Sequence, residues 1–245
     1  MEYSLFCELR YRLSKVRRVN ELDPICKRFC EQMGFDHYLL CVCEAMSFST
    51  PKVLRITNYP PAWLNVYDER GLMKLDPIRK YCATHIVPVL WTDLDSTDNQ
   101  LSDEEREVMT LAANHGLSTG LSVPASAPSG QTAYFSLASS KIDFSDQNLQ
   151  TVLFASHTFM QYLLEAYLRI DVEENPKVAQ LTDRELECVF WACEGKTAWE
   201  MSQIVGITER TINFHLTSVI KKLGASNRQH AVAKAVLYGL VTPTL

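Results

Sequence analysis

No run of 18 apolar residues occurs in this 245-residue chain, so no membrane-crossing helix is read. The longest apolar stretch, residues 152–164, is broken by His157 and Gln161. The eight cysteines form no C-x2-C pair, which removes zinc-ribbon and thioredoxin spacings. Cys26 and Cys30 stand one helical turn apart but lack a second pair of ligands. They read as small buried apolar residues of a reducing compartment, and no metal or cofactor is expected. A G-x-x-x-x-G-K-[ST] phosphate loop is absent, which argues against an ATP-binding input. The first 120 residues also lack the strand–helix alternation of a phosphoacceptor receiver. Glu2, Glu8 and Arg10 fall where the apolar core of a secretion signal would lie, so a cytoplasmic protein is expected.

Apolar residues make up 47% of the chain, enough for a packed core in one large domain or two ordinary ones. The net charge of −5 hides an asymmetry. Residues 1–176 carry 16 basic and 23 acidic side chains, and residues 177–245 carry 8 and 6. A slightly basic tail on an acidic body is compatible with a small nucleic-acid module on a sensor.

In the body, helices are predicted over residues 2–15, 20–33 and 145–169. Further helices open at Pro60-Pro61, at Asp76-Pro77 and at a capping box on Ser102. Strands are predicted at 38–43, 53–57, 121–125 and 132–139. The acidic segment 171–176, closed by Pro176, reads as a linker. Capping boxes at Thr182, Thr197 and Ser226 divide the tail, with Thr208 opening another helix. Four helices follow, over 183–194, 198–205, 209–223 and 227–238. The expected fold class is α+β, an N-terminal α/β/α sandwich with an antiparallel sheet plus a C-terminal all-α four-helix domain. The expected boundaries are 1–170 for the body, 171–177 for the linker and 178–245 for the tail.

Helices two and three of the tail are joined by Val205-Gly206-Ile207-Thr208, a turn of helix-turn-helix size. The second helix of such a motif enters the major groove by its N-terminal part. Arg210, Thr211 and Asn213 are placed to reach base edges or phosphates. Lys221, Lys222 and Arg228 are placed to neutralise phosphates, and Thr197 brings a helix N-terminus near one. A small bundle with a solvated polar face is the plainer alternative. The residues Leu181-Thr182-x-Arg184-Glu185, Gly195-Lys196-Thr197, Ile207-Thr208-x-x-Thr211-x-x-x-His215 and Lys222-Leu223 resemble the helix-turn-helix of LuxR-type transcription regulators. The resemblance spans some 50 residues, brings Thr208 and His215 into the DNA-binding set, and implies that the last helix helps the module dimerise. Val189 stands where the family usually has Leu.

The body resembles the ligand-binding domain of acyl-homoserine-lactone (quorum-sensing) regulators. The matching residues are Asn58-Tyr59-Pro60-x-x-Trp63-x-x-x-Tyr67, Asp76-Pro77, Trp91 and Gly120-Leu121-Ser122-x-Pro124. By that resemblance the Trp63 indole donates to the lactone carbonyl and Asp76 accepts the amide N–H. Tyr59 and Ser136 serve the acyl carbonyl, and Tyr67 and Trp91 wall the headgroup. Leu39, Cys41 and Cys43 alternate along one strand face, suited to lining the acyl tunnel. The partners implied are an acyl-homoserine lactone as effector, a palindromic DNA operator, a second copy of the chain and RNA polymerase, with no membrane. The residue-level alternatives are plain core for Trp63 and Tyr67, and a helix cap for Asp76.

Bulky Tyr134 and apolar Ile78 depart from some relatives and predict an unsubstituted or moderate-length acyl chain. The segment Gly116-Leu117-Ser118-Thr119-Gly120 satisfies the G-x-S-x-G pattern of hydrolases. That elbow needs a strand before the serine and a helix after it, whereas here the order is reversed, so no enzyme is expected. The alternative function is a LuxR-type regulator with constitutive DNA binding, whose body takes another small molecule or a protein.

Overall fold

The computed structural model describes residues 3–44, 52–96, 100–127, 130–141, 146–174 and 181–241. The chain divides into two compact units that part between Glu173 and Glu174.

The first unit is built on five antiparallel strands. They are β1 (His37–Glu44), β2 (Lys52–Thr57), β3 (Val89–Leu90), β4 (Thr119–Ser126) and β5 (Thr132–Ser139), in spatial order β2-β1-β5-β4-β3. Alternation along each strand separates two faces. Leu40 and Val42 of β1, Leu121 and Val123 of β4 and Phe135 and Leu137 of β5 share a core with α1 (Tyr3–Lys15), α2 (Leu22–Gln32) and α6 (Asp146–Glu174). On that side Phe29 of α2 stacks on Phe159 of α6 at 3.9 Å between ring centres. The opposite face meets α3 (Pro61–Glu69), α4 (Pro77–Thr84) and α5 (Asp103–Asn114), around Tyr59, Trp63, Trp91, Leu117 and Ala138. The expected α/β/α sandwich is present.

Two local departures have physical causes. The two-residue β3 is too short to leave an alternation signal. Helix α6 continues to Glu174, so residues 171–174 of the expected linker are helical. No helix breaker precedes Pro176, and the restriction it imposes falls on Asn175. The expected helical residue 145 lies outside the described residues.

The second unit contains α7 (Asp183–Cys193), α8 (Ala198–Val205), α9 (Glu209–Lys222) and α10 (Arg228–Leu237). Thr182 and Thr197 form complete capping boxes. At α10 the cap is Asn227 rather than the expected Ser226; its side chain accepts from the His230 amide at 2.8 Å. Gly206 takes φ +72° between α8 and α9, a left-handed value that a Cβ disfavours. The α8–α9 crossing is thereby a helix-turn-helix, with Met201, Ile212 and Leu216 packed on Cys188 of α7.

Candidate functional site

A cavity of about 860 Å³, counting the space at its mouth, opens between the sheet and helices α3–α5. Two in-register strand pairs form its back wall. Leu39 lies opposite Ser136, and Cys41 opposite Tyr134. The pleat sends all four side chains to the same face, and all four line the cavity. Tyr59, Trp63, Tyr67, Asp76 and Trp91 line it as well. Eight of the nine ligand-site residues expected from the sequence therefore converge. Cys43 does not line the cavity; it packs on the neighbouring cluster of Cys41, Cys82 and Tyr134.

The polar groups of the cavity are arranged in two sets. The first is a relay. The Trp91 indole donates to Ser122 Oγ at 3.0 Å, and Ser122 Oγ lies 2.7 Å from Ser136 Oγ. Ser136 in turn interacts with the Tyr59 phenol. With Ser122 donating to Ser136 and Ser136 directed at Tyr59, the Tyr59 proton is left for another acceptor; the indole itself can only donate. Burial pushes the Tyr59 phenol well up, so it stays a donor. Gly120 makes room for this relay. A Cβ there would meet Leu137 O at 2.5 Å and the Trp91 ring at 2.8 Å.

The second set centres on Asp76. Its Oδ1 caps α4 by accepting from the Ile78 and Arg79 amides, at 2.9 and 3.2 Å. Its Oδ2 accepts from the Tyr67 hydroxyl at 2.8 Å. Asp76 thus caps α4 and lines the cavity with the same side chain. Three donors sit on a carboxylate with about four acceptor sites, leaving one for a further donor. Burial raises its pKa above the ordinary carboxylate value against the pull of those donors. Trp63 is buried, with its ring edge-on to Tyr67 at 5.5 Å. Among the described residues no protein acceptor takes its indole N–H. The cavity therefore offers donors at Trp63 and Tyr59 and an acceptor at Asp76, within otherwise apolar walls.

Sequence reading missed Ser122 as a site residue, although it stands inside a quoted motif. Its role depends on the β3–β4–β5 pairing, which no local pattern reveals. It also missed Arg55 and Arg79, both of which line the cavity. Arg55 is bound by Asp68 through two bonds of 2.9 and 2.8 Å.

On the second unit, Arg210, Asn213 and Lys221 are exposed along one face of α9. Phe214, which is 69% exposed, and Thr217 stand between them and were not anticipated. His215, half-buried, lies edge-on to Phe214 at 5.8 Å. Thr208 caps α9, and its hydroxyl meets that of Thr211 at 2.8 Å. Thr197 caps α8. Two expected phosphate ligands already have structural partners. Lys222 donates to Glu185 Oε2 at 2.6 Å, and Arg228 donates to the Lys196 carbonyl. Glu185 is buried, accepts from Ser218 at 2.6 Å, and is held down to about 2 by Lys222, Ser218 and Thr182 despite its burial. Ser118 lies between α5 and β4, the reverse of hydrolase-elbow order.

Two family models match the chain. The autoinducer binding domain covers residues 19–167, and the luxR family of bacterial regulatory proteins covers residues 179–235. The transcriptional activator AhyR of Aeromonas hydrophila is 34% identical over all of this chain and 95% of its own length. LuxR of Aliivibrio fischeri, another transcriptional activator, is 30% identical over 94% of this chain and 92% of its own. Among solved structures, Escherichia coli SdiA superposes with a TM-score of 0.81 at 26% identity, covering 98% of this chain and 99% of that one. A second SdiA structure, in complex with octanoyl-rac-glycerol, gives 0.79 at 25% identity over 99% and 98%.

Proposed function

This chain belongs to the LuxR family of DNA-binding transcription regulators with an autoinducer-binding domain, and from that premise we propose that its effector is an N-acyl-homoserine lactone held in the α3–α5 cavity. The observation that carries this reading is the match between the cavity's polar groups and that molecule's own. The ligand brings carbonyl acceptors, one amide N–H and an apolar chain. Opposite them stand donors at Trp63 and Tyr59, the remaining acceptor site of Asp76, and apolar walls. An unpaired buried polar group costs about 1–3 kcal/mol, so this match selects strongly. In the proposed pose the lactone carbonyl takes the Trp63 proton, the amide N–H takes Asp76, and the acyl carbonyl takes the Tyr59 proton backed by Ser136. The chain then runs past Leu39 and Cys41 toward Tyr134, whose ring limits its length.

In this reading Arg210, Thr211 and Asn213 meet base edges and Lys221 meets the phosphate backbone of a palindromic site read by a homodimer. Lys222 and Arg228 act one step back, by fixing α9 and the Lys196 carbonyl. Ligand burial completes the body's core and stabilises the folded state, by about 2.7 kcal/mol at 100 times Kd. RNA polymerase is the further partner of such a regulator. Fluorescence titration with hexanoyl-homoserine lactone tests the pose. Saturable binding that weakens at least about tenfold in Asp76→Asn and Trp63→Phe supports it. A second reading, an acylglycerol effector, is favoured by the SdiA complex with octanoyl-rac-glycerol. It would be marked by octanoyl-glycerol displacing the lactone.

A further inference from the structure

We propose that Phe214 is a specificity-determining residue of the DNA-reading surface, its ring packing on the C5-methyl group of a thymine in the major groove. The inference rests on the reading of α9 as the helix that enters the groove. Ile212, Leu216 and Val219 are buried and set the core side of α9. At about 100° per residue, Phe214 points away from that side. It shares the opposite stripe with Arg210, Thr217 and Lys221, with Asn213 at the edge, and all five are exposed. Phe214 is the sixth residue of α9, within the first two turns, the part of such a helix that meets base edges. His215 meets its ring edge-on at 5.8 Å from the neighbouring position. Thr217, three residues on, gives its hydroxyl proton to the Asn213 carbonyl at 2.8 Å, so it adds a methyl group rather than a competing donor beside the ring.

Single exposed apolar side chains are ordinary on protein surfaces. This ring differs in its surroundings, because it stands in the middle of a stripe that carries two cations and an amide. Those charges fit the polyanionic duplex, and a duplex bound along the stripe turns base edges toward the ring. A phenyl ring neither donates nor accepts a conventional hydrogen bond. Pressed on the donors and acceptors of guanine, adenine or cytosine, it strips water from groups that it cannot pair. The one methyl group presented in the major groove is that of thymine. The ring therefore favours T·A by apolar contact and disfavours the other pairs by desolvation, which is discrimination of both signs from one side chain.

The test lets the purified full-length protein, with and without hexanoyl-homoserine lactone, select duplexes from random-sequence DNA. Binding to the selected operator is then compared with copies in which single thymines are replaced by uracil, a change that removes the C5-methyl and leaves the pairing edge intact. The unmutated protein is expected to lose about fourfold in affinity at one thymine position of each half-site. In Phe214→Ala the thymine-to-uracil difference at that position should vanish, and Phe214→Leu should keep part of it. The salt dependence of binding should be unchanged in Phe214→Ala and shallower in Lys221→Gln, since the ring meets no phosphate. The side chain is 69% exposed, so both Phe214 variants should fold, which thermal unfolding checks. A thymine-to-uracil loss that persists in Phe214→Ala overturns the proposal, as does an operator in which no thymine methyl matters. A Phe214→Ala protein that changes its oligomeric state while keeping the methyl preference also overturns it, because the ring then faces a second copy of the chain. Selection of no sequence at all would fail the reading of α9 itself, and the proposal with it.

Discussion

The two units treat their buried polar groups in opposite ways. In the tail, Glu185 is saturated by Lys222, Ser218 and the Thr182 cap, and the Leu223 and Gly224 carbonyls at the end of α9 are met by Lys234. In the body, Trp63 keeps its indole proton, Tyr59 has a proton to give and Asp76 an acceptor site to fill, all at one cavity. A domain whose polar groups are closed on themselves is rigid without help and presents its free side chains outward. One that leaves matched donors and acceptors around an apolar space is completed by a molecule that supplies their complements.

The contrast is broken most severely by removing the tail's central carboxylate. Glu185→Ala removes the buried acceptor that Lys222, Ser218 and the Thr182 amide share, and should cost about 3 kcal/mol of tail stability and abolish DNA binding. Its effect on ligand binding by the body should be negligible, as read by ligand titration beside chemical denaturation. The same carboxylate sets an acid limit. Its folded pKa, near 2, lies below the ordinary value of 4.5. Its stabilisation is therefore present above about pH 4.5 and fades as the pH falls from there toward 2.

Next in size is Gly120→Ala. The added methyl meets the Leu137 carbonyl and the Trp91 ring, so about 1–3 kcal/mol of body stability should be lost, with Trp91 displaced. Denaturation followed by tryptophan fluorescence reads both effects. This variant sharpens the comparison, since the tail should still bind DNA.

How much of this was legible in the sequence depended on the range of the interaction. The Ser102, Thr182 and Thr197 caps are spelled out within four residues, and each helix begins where its cap stands. Residues Tyr59, Trp63, Tyr67 and Asp76 were legible because helical spacing and a family pattern coincide. Ser122 and the Lys222–Glu185 pair were not. They depend on strands and helices brought together from 14 and 37 residues apart, and no local periodicity encodes that meeting. Cys43 shares a strand face with Cys41, but whether a residue on that face reaches the cavity depends on where α4 crosses the sheet.

Smaller effects distinguish the positions within the cavity. Trp63→Phe keeps the ring area and removes one donor, so lactone affinity should fall roughly tenfold with apo stability nearly unchanged. Asp76→Asn keeps a cap for α4 but replaces the carboxylate, and a similar loss is expected. Lactone binding to the unmutated protein should also strengthen as the pH rises through the raised Asp76 pKa, because the ionised carboxylate accepts the amide N–H more strongly than the protonated acid does. Tyr134→Ala should shift preference toward longer acyl chains by about 0.8 kcal/mol for each additional buried CH2. A chain-length profile that did not move would remove Tyr134 as the end of the tunnel.

The most direct test of the central claim is thermal unfolding of the full-length protein against acyl-homoserine lactones of graded chain length, followed separately for body and tail. The account predicts a rise in the body's midpoint for a narrow range of chain lengths, clearly reduced in Trp63→Phe and Asp76→Asn at the same lactone concentration, with the tail's transition unmoved. A body midpoint that stays fixed with every lactone in the folded, DNA-binding protein would contradict it.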